Sequence, residues 1–188
     1  MQAIPAFLLA LTLVSGPATD AVKEKLSAVI VLLKNPGDGT EARAIELIDG
    51  LLNYSAFDRA TLGGEWENRT EDEKSRFSPL LKNVLRRAFL RNLKKTADCS
   101  LEFGEENTAG GVVTVSVKAA FPKDSKEDPI RIQYRMKEAG GTWRAQDIVT
   151  EDVSLVSSYR SQFVKIIQKD GFEELLKKMK SKLDRDDR

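Results

Sequence analysis

Apolar side chains recur three and four residues apart through the first half of the chain. They then recur two apart through most of the second half, and the helical period returns at the end. Over residues 21–34, Val22, Leu26, Val29, Ile30 and Leu33 fall on one helical stripe. Asn35-Pro36-Gly37-Asp38-Gly39 breaks it. Thr40 is placed to cap a second helix carrying Ile45, Ile48, Leu51 and Leu52. A short helix over Ser55–Leu62 stops at Gly63-Gly64. Thr70, with Glu73 three residues on, forms a capping box that opens the longest helix. There Phe77, Leu80, Leu81, Val84, Leu85, Ala88, Phe89 and Leu93 hold the period to Lys95, and Pro79 is a candidate kink.

Beyond Lys95 the pattern predicts strands. Cys99–Phe103 is a short one, followed by turn residues over Asn107–Gly111. In the next run Val113, Val115, Val117, Ala119 and Phe121 share a face. After the polar loop Pro122–Pro129, Ile130, Ile132, Tyr134 and Met136 face one way, and Arg131, Gln133, Arg135 and Lys137 the other. Ala139-Gly140-Gly141 turns the chain into a strand with Trp143 and Ala145. One oily and one wet face are what an antiparallel sheet covered on one side needs. Two helices then follow, over Ser154–Lys169 and Phe172–Leu183. Grouped helices and grouped strands predict an α+β fold, with helices over one face of a curved antiparallel sheet of about four strands.

The first residues read differently. Ile4 to Val14 is an apolar run too short for a bilayer span of ~20 residues, and the small, helix-breaking SGPATDA follows it. This predicts a secretory signal over 1–18 with cleavage between 18 and 21, although no Lys or Arg precedes Lys23. The alternative is a buried N-terminal helix. The remainder divides into one domain over 21–183 and a charged, frayed tail over 184–188.

Composition then removes most familiar chemistry. The 188 residues contain no His and one Cys, which excludes Ser-His-Asp triads, His-ligated metal and an internal disulfide. Lys and Arg number 30 against 29 Asp and Glu, so there is no global charge for nucleic acid. No cofactor or metal is expected. Cys99 reads as a small buried hydrophobe. Glu105-Glu106 and Glu151-Asp152 read as solvated charge. Asp147 continues the alternation of Trp143 and Ala145, so it is expected on the covered side of the sheet. There it serves either as a hydrogen-bond anchor or as a general base. Basic residues crowd the end of the long helix (Arg86, Arg87, Arg91, Lys94, Lys95) and the last helix (Lys177, Lys178, Lys180, Lys182). They read as solvated faces, or as a surface for anionic headgroups or an acidic partner.

The stretch from Ile130 to Leu183 resembles the MlaC, or toluene-tolerance, family. The resemblance is carried by Tyr134, Gly140-Gly141, Trp143, Asp147-Ile148, Val153-Ser154-Leu155, Tyr159-Arg160, Phe163, Gly171, Leu175 and Leu176. Upstream, LGGEW and the capping box before Phe77 are similar to the family's approach to its long helix, so the similarity spans about residues 40–183. Asp152 stands where the family usually has Gly. The resemblance implies a periplasmic carrier, monomeric and non-enzymatic, that shuttles phospholipid between an outer-membrane lipoprotein complex and an inner-membrane ABC transporter. Acyl chains would lie in an apolar cavity between sheet and helices. The candidate lining is Val113, Val115, Val117, Ile132, Tyr134 and Met136 from the sheet, with Leu81, Leu85, Phe163 and Ile167 from the helices. Tyr134 also fits a structural role, as do Trp143 and Asp147. Two other readings stand beside this one. One is an exported adaptor with a solid core; the other is a small cone-shaped enzyme using Asp147 as base and Tyr134 as donor. Lipid class, and whether the cargo is instead another apolar molecule such as a hopanoid, are open at this stage.

Overall fold

Helix and strand run through the chain in three blocks. The structure is a computed structural model, and it describes residues 16–186. The apolar run assigned to a signal lies outside the described residues. Four helices come first: α1 (Pro17–Lys34), α2 (Thr40–Leu51), α3 (Tyr54–Leu62) and α4 (Glu71–Lys95), with a 3-10 turn at Gly63–Glu65 between the last two. Five strands follow: β1 (Ser100–Ala109), β2 (Val112–Ala120), β3 (Ile130–Ala139), β4 (Thr142–Thr150) and β5 (Val153–Ser154). Then come α5 (Leu155–Asp170) and α6 (Phe172–Asp186). The sheet is an antiparallel meander in chain order, which makes β1 an edge strand. The fold is α+β, as predicted, with a two-residue fifth strand added.

Tight turns join the strands. Gly110-Gly111 and Gly140-Gly141 all have positive φ, as two-residue primed hairpin turns require. Glu151 and Asp152 make a third turn of this kind with φ of 46° and 63°, conformations uncommon for residues with a Cβ. Arg131 holds that turn: its side chain pairs with Glu151 at 3.1 Å and Asp152 at 3.3 Å.

The inner sheet face is the predicted one. Val115, Val117, Ala119, Tyr134 and Met136 are buried there. Against it and behind it pack Leu81 and Leu85 of α4, Phe163 of α5 and Leu175 of α6. Phe77 meets Phe163 edge-on at 5.9 Å and Phe172 at 6.1 Å, an aromatic knot joining α4, α5 and α6. A charged node ties the first helices together. Asp49 of α2 accepts from Tyr54 at 2.7 Å, pairs with Arg86 of α4, and lies 3.3 Å from Lys82. Burial opposes its charge, but the Arg86 and Tyr54 hydrogen bonds outweigh burial and hold its carboxyl down at about 2.

Some expectations are corrected. Thr40 is the first residue of α2 rather than its cap; Gly39 takes that place, and the Thr40 hydroxyl bonds back to Gly37. Pro79 falls inside α4 near its start, as read, and the helix continues past it to Lys95. β1 extends to Ala109 and takes in the first three of the residues read as a turn, leaving Gly110-Gly111, because hairpin pairing with β2 carries its polar half. The tail is not frayed at its start: α6 continues to Asp186, Leu183 is buried, and its carbonyl accepts from Arg87.

Glu106 is not solvated charge either. Between Phe103 and Glu106 two residues face one on β2, a bulge that turns Glu106 to the inner face opposite Val115. Its carboxylate accepts from the backbone N–H of Thr19 at 2.7 Å, in the first turn of α1. α1 has no cap from its own N-cap residue, so this distant acid takes that role. The window between residues 18 and 21 falls in this same turn, where Ala18 is fully buried.

Candidate functional site

A cavity of about 420 Å³ opens between the end of α4, the inner faces of β3 and β4, and the start of α5. Ala88, Phe89, Asn92, Leu93, Lys95 and Thr96 form its helical wall. Ile130, Ile132, Tyr134, Ile148 and Thr150 form its sheet wall, and Val153, Leu155 and Ser158 close the side. Its volume is within the ~300–1,000 Å³ usual for small-molecule sites. Phe89, Tyr134 and Ile148 are buried, whereas Asn92, Lys95, Thr150 and Val153 are exposed. The cavity therefore has an oily interior and a polar rim, with Val153 at 60% exposure as an apolar residue on the lip.

Local structure explains each wall. On β3 the period of two sends Ile130, Ile132 and Tyr134 to the same side. On α4 the helical period brings Ala88, Phe89, Asn92 and Thr96 down one face. The ring of Phe89 meets that of Tyr134 edge-on at 6.4 Å. Burial raises the Tyr134 phenol above its ordinary range, with no charge or hydrogen bond contributing. At the helix end, the Thr96 backbone N–H and hydroxyl donate to the carbonyls of Asn92 and Leu93, so the last turn closes on itself.

Of the ten candidate lining residues, Ile132 and Tyr134 are on the cavity wall. Leu81, Leu85, Val113, Val115, Val117, Met136 and Phe163 sit in the packed core, and Ile167 packs partly buried against it. The wall residues that the sequence reading did not select come from the last two turns of α4, from β4, and from the β5–α5 junction. Ala88, Phe89 and Leu93 are on the same apolar stripe as Leu81 and Leu85. Periodicity identifies the stripe but carries no signal for which of its turns faces empty space.

Asp147 is buried, as expected, but on the other side of the sheet. Arg135 pairs with Asp147 and Met136 with Ala145, so Gln146 is an extra residue that reverses the alternation. The Asp147 carboxylate accepts from the backbone N–H groups of Ile148 at 2.8 Å and Val156 at 3.1 Å. It also accepts from the Ser154 hydroxyl at 2.6 Å and from Arg135 at 3.3 Å. The hollow beside it holds about 220 Å³, below the usual ligand range. Both oxygens are engaged in holding the strand-to-helix junction, as an anchor requires.

A wider trough of about 1190 Å³ lies between α1 and the edge strand β1, but Lys23, Glu105 and Glu106 are among its walls. The smaller cavity is the better fit to an apolar ligand because sheet and helices enclose it with aliphatic and aromatic side chains. Among the described residues, no helix is long and apolar enough to cross a membrane.

Two comparisons with known proteins bear on this geometry. A family model described as MlaC protein matches residues 18–181. Among solved structures, the chain is similar to a phospholipid-binding protein from Ralstonia solanacearum, determined in complex with a phospholipid. The match has a TM-score of 0.75 and 18% sequence identity, and covers 90% of this chain and 98% of that one. At this identity the likeness is one of fold.

Proposed function

The chain belongs to the MlaC protein family, and from that premise we propose that it is a periplasmic carrier of phospholipid. The acyl tail lies in the cavity between α4 and the sheet, and the head remains at the rim. The observation that carries this reading is an apolar cavity of about 420 Å³ with an exposed polar mouth, in a fold shared with a phospholipid-bound protein. The energetics suit a carrier. Each buried methylene contributes about 0.8 kcal/mol, so a ~16-carbon chain contributes on the order of 13 kcal/mol against release into water. Release then needs a receiving surface of comparable oiliness. A membrane complex supplies one, and a soluble shuttle between an outer-membrane lipoprotein complex and an inner-membrane ABC transporter fits that requirement. The reading needs no catalytic residue, and Asp147 has its structural task.

Ala88→Trp tests the site. Ala88 is on the cavity wall, and an indole there fills space that the tail would occupy. Delipidated protein is offered phospholipid vesicles, and bound lipid is quantified after separation. Uptake by the variant is expected to fall at least severalfold with its thermal unfolding little changed. Full uptake by a folded Ala88→Trp protein would place the lipid elsewhere.

A further inference from the structure

Taking the carrier reading as given, we propose that the cavity mouth prefers a lipid whose head carries net negative charge, and that Lys95 supplies the preference. Lys95 is the single charged residue on the cavity wall. It is exposed, in the last turn of α4, with exposed Asn92 one turn before it. Neighbouring cations are already committed: Lys94 pairs with Glu41 at 3.5 Å and Lys34 lies 3.9 Å from Asp98. Among the described residues, no acid pairs with Lys95.

Two features nearby oppose an anion, and each is partly offset. The first is the Glu151-Asp152 turn between the lip residues Thr150 and Val153, where the single cation Arg131, at 3.1 and 3.3 Å, offsets one of the two carboxylate charges. The second is the C-terminal end of α4, whose backbone dipole favours cations. There the Thr96 N–H and hydroxyl take up the carbonyls of Asn92 and Leu93. On the cavity wall itself the charge is that of the Lys95 ammonium. With a tail inside, a head at this rim comes within reach of it. A zwitterionic head presents its own cation to the same rim and gains less. An exposed pair of this kind corresponds to a preference of about three- to fivefold.

The test is a competition. Delipidated full-chain protein is incubated with vesicles of equimolar phosphatidylglycerol and phosphatidylcholine bearing identical acyl chains. The ratio of the two in the protein-bound fraction is read by mass spectrometry. The wild type is expected to enrich phosphatidylglycerol about three- to fivefold, Lys95→Met to bring the ratio close to one, and Lys95→Arg to restore it. Raising salt to about 1 M, where the screening length is about 3 Å, is expected to erase the enrichment. Uptake of both lipids in the proportion offered, or an enrichment that survives in Lys95→Met, would overturn the preference while leaving the carrier reading intact. A wild type that takes up neither lipid sinks both.

Discussion

Asp147 shows how one side chain can hold two elements in register. Its carboxylate takes the N–H groups of Ile148 and Val156 and the hydroxyl of Ser154, and so joins β4 to the first turn of α5. Asp147→Ala leaves two buried backbone donors unpaired, a loss of about 3 kcal/mol in unfolding free energy by urea titration. A change under 0.5 kcal/mol would refute the anchor role. Asp152 is the converse case. Its φ of 63° favours glycine, and its contact with Arg131 is exposed. Asp152→Gly is therefore expected to leave unfolding free energy unchanged or raise it by up to about 1 kcal/mol, since the lost surface pair contributes little. A clear loss of stability would mean that the acid itself holds the turn. The Asp for Gly departure was visible in the sequence because a family pattern set the expectation. The direction of Asp147 was not visible, because one extra residue at Gln146 reverses a period of two without altering composition.

At the scale of elements, α1 depends on a residue 87 positions away. Glu106 accepts from the Thr19 N–H and occupies the positive end of the helix. Glu106→Ala is expected to lower stability by about 1 kcal/mol, and Glu105→Ala, on the bulge beside it, by less than 0.5 kcal/mol. Equal effects of the two would show that Glu106 caps nothing. The helices were legible because each has a stripe and a stop. Thr70 and Glu73 open α4 with the reciprocal bonds that their spacing implies. β1 was half legible: Leu101 and Phe103 alternate, whereas Gly104 to Ala109 is polar and becomes strand only through pairing with β2. Both bulges, at Gly104-Glu105 and at Gln146, were hidden for the same reason. A two-against-one count belongs to the pair of strands rather than to either sequence.

For the whole molecule, the arrangement of layers followed from the change of period along the chain, but the location of the cavity did not. Val115, Leu81 and Met136 lie where helices and sheet meet squarely, and they are packed solid. The space opens one end further on, where the last turns of α4 pass over Ile132, Tyr134 and Ile148 and the α5 start closes only one side. A stripe of apolar residues reads the same over a filled core and over a hollow one. The central claim is that this hollow carries a lipid tail. Organic extraction of the purified protein followed by quantitative mass spectrometry tests it most directly. The account predicts phospholipid near one molecule per chain, lost in Ala88→Trp. Extracts from well-folded wild-type protein that contain only traces of lipid would contradict it.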